Sequence, residues 1–382
     1  MELSKEDSLR LHVLLNQSLK AVRIDEGAMV LHALTDRGAA QVPLNPNCRD
    51  EQYLRQVREL LSTHVLGSPG GYPVFLRRWT RMGQARAESL DKLLLLGEPE
   101  AVVAVVHAEG LTNELARRAW WIMPTADNAR RMLEREDVVR GDMGPELAAF
   151  LVEFLPFEED SRDILDSIRL VLQPGLIDEA TRDKLWRRAR QKSVYYVGFL
   201  SGAPDTLPEQ AAPHPLREAL QADADAAAPL AELVALMRQV LDAPAQTFLR
   251  VALEAMRKPR DQETVIALFN AIGRYFRPCE QVERQETIEA QVAAVDAALA
   301  DGDNETLAQF QARYPDHGGM LRAAMIVAGL SDKMLSPILS RTDAMGSVMR
   351  RKLEPVMTPV SEQLQVLRPD GGQRGRRSGA RG

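Results

Sequence analysis

Aromatic residues make up only 5% of this 382-residue chain, and it has just two cysteines. Two thiols as far apart as Cys48 and Cys279 cannot form the framework of a disulfide-stapled secreted domain, and the usage suits a reducing compartment. Neither cysteine has a second one nearby and no two histidines stand four residues apart. The clustered ligands that zinc needs are therefore missing, and neither a metal nor a cofactor is expected. Long hydrophobic runs are scarce too. "LLLLG" at 93–97 and "AVVAVV" at 101–106 fall far short of the roughly 20 residues a bilayer-spanning helix requires. The opening MELSKEDSLR is polar and carries no apolar core of signal-peptide length. Together these absences point to a cytoplasmic protein that does not enter a membrane. The formal net charge is −6, so the chain as a whole is not built to coat nucleic acid.

What the chain does have is 45% hydrophobic residues, dominated by Ala, Leu and Val, with many arginines between them. That mix favours helices over sheets, and the length allows two or three domains or one extended repeat array. Ser4-Lys-Glu-Asp7 reads as a helix start, with a helix expected to about Leu19. The next stretch, "AVRID-EG-AMVLHALT-DRG-AAQVPL", has three short, partly alternating runs separated by Glu26-Gly27 and Asp36-Arg37-Gly38. This is the pattern of a small antiparallel meander. Asn47-Cys-Arg-Asp50 is a second capping pattern, which places Cys48 at the first position of the following helix.

Beyond that helix the sequence echoes itself. "LTNELARRAWWIMPTADNARRML" from Leu111 and "MGPELAAFLVEFLPFEEDSRDIL" from Met143 align Glu114 with Glu146, Leu115 with Leu147, Pro124 with Pro156 and Leu133 with Leu165. A weaker copy starts at Leu176, and a degenerate one falls within 82–106. Units of about 32 residues, each of short helices too thin to bury an apolar face alone, predict a mainly α fold: a HEAT-like α-solenoid behind a small N-terminal β-meander. The expected organisation is an N-terminal α/β element at 1–66, the helical repeat region at 67–203 and a Pro/Ala-rich linker at 204–228. A C-terminal helical region at 229–367 and a disordered Arg/Gly-rich tail at 368–382 follow.

No acid–base pair or triad is recognisable, and no catalytic residue is assigned. Gly198-Phe-Leu-Ser201-Gly202 has the wrong spacing for a nucleophile elbow. It reads as a helix C-terminus, with Gly202 left-handed and Pro204 stopping the helix. Trp120-Trp121, Tyr195-Tyr196 and Phe150/Phe154 read as packing between repeats, and His107 as a helix-end residue. The stretch "HVLGSPGGYPVFLRRW" at 64–79 puts three glycines and two prolines within 67–73. It fails both phosphate-loop fingerprints, so its first reading is a cap at Gly67 and a new helix at Pro73. Its free amides, with the arginines beyond them, have a generic capacity for an anion or an acidic peptide. Gly70, Gly71, Tyr72, Pro73, Arg77, Arg78 and Arg81 are the candidate binding residues. Arg374-Gly-Arg-Arg-Ser-Gly-Ala-Arg381 has the character of a segment making non-specific phosphate contacts, RNA included.

The wording of "RDEQYLRQVRELLSTHVLGSPGGYPVFLRRWTRMGQ" (49–84), "LLLLGEPEAVV" (93–103), "LARRAWWIMP" (115–124) and "RLVLQPGLI" (169–177) resembles the DsrS family. These are soluble cytoplasmic proteins encoded with the dissimilatory sulfite reductase genes of sulfur-oxidising proteobacteria. The likeness runs through roughly residues 1–200 and has no catalytic motif to transfer. It implies a non-enzymatic accessory or regulatory protein that binds a protein partner in the sulfur-oxidation machinery through its helical-repeat surface. Two alternatives stay open: a regulator that contacts RNA through the arginine tail, and a sulfur-handling protein using Cys48. The sequence leaves the oligomeric state open.

Overall fold

The computed structural model describes residues 3–73, 87–220, 228–301, 304–340 and 344–369. The chain divides into two compact units, Met1–Phe154 and Leu155–Gly382. It is mainly helical, with one small three-stranded sheet near the N-terminus.

The first unit opens with helix α1, Lys5–Leu15. Ser4 caps it, its Oγ accepting the Asp7 N–H at 3.1 Å. The expected continuation to Leu19 does not occur. Leu19 instead opens strand β1, Leu19–Asp25, because this segment's backbone is taken up by pairing with β2, Val30–Thr35. Strand β3, Gly38–Pro43, completes an antiparallel meander in the order β1-β2-β3. Along β2 Leu31, Ala33 and Thr35 are buried and the residues between them are not, the period of two that sets one sheet face against a core. That core joins Leu11, Leu14 and Leu15 of α1, Val22, Leu31 and Ala33 of the sheet, and Leu54, Val57 and Leu61 of the next helix.

That helix, α2, runs from Asp50 to Leu66. Asn47 does not cap it and Cys48 is not its first residue: Arg49 is the N-cap and makes no side-chain capping bond. Asp50 and Glu51 fill the first turn instead, where acids complement the positive end of the helix dipole. Gly67 ends α2 in the left-handed conformation, with φ 70°, as its lack of a Cβ allows.

The rest of the first unit is built from α3 (Ala87–Leu93), α4 (Pro99–His107), α5 (Asn113–Ile122), α6 (Ala126–Met132), α7 (Glu136–Arg140) and α8 (Met143–Phe154). The Val22 N–H donates to the Leu94 carbonyl at 2.9 Å, tying β1 to the turn after α3. α5 lies against β1, with the Arg23 guanidinium 5.4 Å from the Trp121 ring centroid. His107 is the last residue of α4.

The second unit contains α9 (Ser161–Val171), α10 (Glu179–Ala189), α11 (Ser193–Gly202), α12 (Ala228–Val240), α13 (Ala243–Arg257) and α14 (Gln262–Tyr275). It ends with α15 (Ile288–Ala300), α16 (Glu305–Arg313), α17 (Gly318–Ala328), the short α18 (Ser336–Leu339) and α19 (Gly346–Val366). Residues 323–328 of α17 are all buried, so the C-terminal half of this helix is enclosed on every side. α11 packs on α9 through glycines. A Cβ at Gly198 would meet Ile168 at 2.7 Å, and one at Gly202 would lie 3.0 Å from the Arg169 Cα. Gly202 is therefore not the left-handed cap expected from the sequence. It is the last residue of α11 and allows close backbone approach, while Ala203 is the C-cap and Pro204 opens a 3₁₀ turn.

Residues 204–220, within the stretch expected as a linker, are held against this unit. Leu207, His214 and Leu220 are buried. The His214 N–H donates to the Leu241 carbonyl at 2.8 Å, and the Ala211 N–H to Thr247 Oγ1 at 2.9 Å. Glu209 accepts from Trp186 Nε1 at 3.1 Å and from Arg250 Nη2 at 2.5 Å. Proline removes donors from such a segment, and a neighbouring carbonyl and a threonine hydroxyl accept from two of the amides that remain.

Candidate functional site

The glycine–proline loop after α2 is organised from within. Ser62, on the buried face of α2, donates its hydroxyl to the Ser68 carbonyl at 2.8 Å and accepts the Gly71 N–H at 2.8 Å. The next amide, of Tyr72, donates to Glu98 Oε2 at 2.9 Å. Gly70 and Gly71 have φ of 118° and 57°, a region favourable only to glycine. A Cβ on Gly71 would sit 1.8 Å from Glu98 Oε1. The loop thus holds an anion, and that anion is a carboxylate of the same chain. Burial raises the Tyr72 phenol above its ordinary value. Pro73 is exposed. Arg77, Arg78 and Arg81 lie outside the described residues, as does the arginine tail beyond Pro369. Ser62 and Glu98 carried no sequence signal, since a serine on an amphipathic helix and a glutamate before a proline are each commonplace.

A second surface lies on α1, which is apolar on two sides. Leu11, Leu14 and Leu15 face the core, while Leu9 and Val13, one helical turn apart, are 66% and 58% exposed. Beside them runs a groove of about 550 Å³, lined by Leu3, Lys5, Ser8, Leu9 and His12 together with Gln56 and Leu60 of α2. Asp7, on the same helix, is fully buried. Its carboxylate accepts the Tyr53 hydroxyl at 2.7 Å, the Asn45 N–H at 3.2 Å and Asn45 Nδ2 at 3.1 Å. Burial alone would raise the Asp7 pKa, but these bonds to the charged form outweigh it and hold the carboxyl below its usual range. The groove is therefore mounted on a helix clamped to α2 and to the end of the sheet.

The second unit contains a cavity of about 450 Å³, walled by Leu200, Leu236, Val240, Phe276 and Cys279. Tyr275 also lines it, stacked on Phe248 at 4.0 Å between ring centroids. Burial, reinforced by Asp205, raises the Tyr275 phenol. Cys279 is buried, and that burial pushes its thiol up to about 12, away from the thiolate a nucleophile needs. Cys48 is half-buried, packed against the core of the first unit. It precedes α2 by two residues and does not stand in its first turn.

The paired aromatics take separate places. Tyr195 is buried, and Tyr196 meets the Trp186 ring edge-on at 5.0 Å. Trp120 meets Phe150 edge-on at 4.8 Å, and Phe150 stacks on Phe154 at 5.9 Å. Among the described residues no helix is long and apolar enough to cross a membrane. No group of three or more His, Cys, Asp or Glu among them could hold a metal ion. No protein-family model, curated protein or solved structure matches the chain.

Proposed function

We propose that this protein is a non-enzymatic accessory or regulatory factor of the DsrS kind, binding a protein partner in the sulfur-oxidation machinery. The observation that supports a partner is the second apolar side of α1. Burying Leu9 and Val13 from their present exposure is worth about 2–4 kcal/mol together at ordinary transfer values, and solvent gains nothing from either residue. Lys5 and His12 at the edge of the groove favour an amphipathic helix with acidic residues along its rim.

The helices that carry this reading further are short and recur. Leu115 and Leu147 are both buried, and Pro124 and Pro156 each follow the end of a helix. These recurrences support a HEAT-like stack as the scaffold, in which each unit buries its apolar face only against a neighbour.

The test is capture of the tagged full chain from sulfur-oxidising cells, with and without ribonuclease, in parallel with a Leu9→Ser/Val13→Ser variant. A sulfur-oxidation component should co-purify with the parent, survive ribonuclease and be lost from the variant. Both residues are exposed, so the variant should retain the parent's melting temperature. A captured set unchanged by the double substitution would overturn the α1 reading, and one emptied by ribonuclease would favour RNA contact instead.

A further inference from the structure

A separate cavity of about 290 Å³ in the second unit is lined by Lys192, Lys258, Arg260 and Arg350, against two carboxylates, Glu159 and Asp261. Four cations from three segments far apart in sequence outnumber these carboxylates, and their mutual repulsion favours an anion between them. The carboxylates offset two of these charges and leave two in excess. Asp261 spends its oxygens on the fold: Oδ1 accepts the Thr264 N–H at 2.9 Å and the Thr264 hydroxyl at 2.8 Å, and Oδ2 accepts the Ser161 hydroxyl at 2.5 Å. Glu159 is exposed. Among the described residues Lys192, Lys258 and Arg260 have no carboxylate partner. Arg350 donates one N–H to the Pro259 carbonyl at 3.0 Å, which positions the guanidinium and leaves its other donors available.

The backbone adds to this field. Ser161, Ser193, Thr264 and Gly346 all line the cavity, and they lie in the first turns of α9, α11, α14 and α19. Four helix dipoles thus present their positive ends around one space. Three of these starts are already served. Asp160 caps α9, Asp261 caps α14, and the Gly346 N–H of α19 donates to the Arg260 carbonyl at 2.9 Å. The start of α11 has Lys192 as its N-cap, with no side-chain capping bond. The walls are also fixed in place, since Pro259 and Arg260 are bonded to α19, and Ser161 to Asp261.

We propose that this cavity binds a phosphate group, either free or as the monoester of a small molecule. Two lysines supply point charges and two arginines supply forked donors matched to phosphate oxygens, with the uncapped first turn of α11 as the backbone donor. The space holds roughly ten water-sized groups at about 30 Å³ each, more than one phosphate occupies, so a small substituent fits as well. This inference does not depend on the partner proposed above.

Isothermal titration of the full chain with inorganic phosphate, with glycerol 3-phosphate and with glycerol tests it. The parent should give saturable heats with one or both phosphates, weakening as salt rises, and none with glycerol. The Lys258→Gln/Arg260→Gln variant should bind about tenfold more weakly or worse. Both side chains are exposed, so its melting temperature should match the parent's. Tighter binding of glycerol 3-phosphate identifies the monoester as ligand, and equal or weaker binding identifies free phosphate. Absence of saturable binding to both phosphates, or equal affinity in the double variant, overturns the proposal.

Discussion

Gly273 lies in the interior of α14, where helix propensity alone says that alanine is better by about 0.5–1 kcal/mol. The tertiary structure reverses that sign. A Cβ at Gly273 would lie 2.0 Å from the Leu330 carbonyl oxygen and 2.9 Å from its carbon, and a backbone carbonyl cannot swing aside as a side-chain tip does. Leu330 is itself buried, and the Asp332 N–H two residues on is held by Asn270 Oδ1 of α14 at 3.0 Å. Relief therefore means pushing the 329–332 turn off α14, at the expense of packing and of that hydrogen bond. Overpacking costs about 1–3 kcal/mol and the hydrogen bond about 1 kcal/mol. Set against the propensity gain, Gly273→Ala should destabilise by about 2 kcal/mol. Gly319, in the first turn of α17, has nothing within 4 Å of its added Cβ, so Gly319→Ala should stabilise by about 0.5–1 kcal/mol. Urea denaturation of both variants, followed by circular dichroism, measures the pair. A Gly273→Ala protein as stable as the parent would refute the close-approach argument.

Two further outcomes follow from buried titratable groups. Asp7→Ala leaves the Tyr53 hydroxyl and Asn45 without their acceptor and should lower stability by about 3 kcal/mol. Because the folded Asp7 pKa is depressed, the parent keeps this contribution above about pH 4 and loses it as pH falls through the folded value. A loss under about 1 kcal/mol in urea at neutral pH would show that the clamp is unimportant. His214 is buried, and desolvation, with His317 adding repulsion, lowers its pKa; its Nδ1 accepts the Leu216 N–H at 3.1 Å. The neutral ring is the stabilising form, so its contribution is complete above about pH 6.5 and declines as pH falls from there through the folded value. Melting temperatures at pH 7.5 and 5.5 should fall less for His214→Asn than for the parent, and an identical fall in both would exclude the histidine as the cause.

Local features were legible where one residue type has one physical use. The Ser4 cap, the meander between Glu26-Gly27 and Asp36-Arg37-Gly38, and the left-handed Gly67 all depend on neighbours within a few positions. The readings that went astray had a local rival. Asn47 looked like a cap, but Asp50 and Glu51 suit the first turn better, which moved Cys48 off the helix. Gly202 looked like a left-handed terminator, yet its missing Cβ serves the approach to Arg169 instead. The candidate loop was visible as a loop, whereas its occupant, Glu98, was not, because 26 residues separate that carboxylate from the Tyr72 amide.

By itself the sequence determined a mainly helical chain with one small sheet, since composition, periodicity and turn residues act over a few positions. Only the tertiary structure decided which charges and small residues do long-range work. It placed a carboxylate under the glycine loop, a carbonyl against Gly273, and Lys192, Lys258, Arg260 and Arg350 around one cavity. Electrostatics and steric contact depend on distance in space, and no one-dimensional pattern records it.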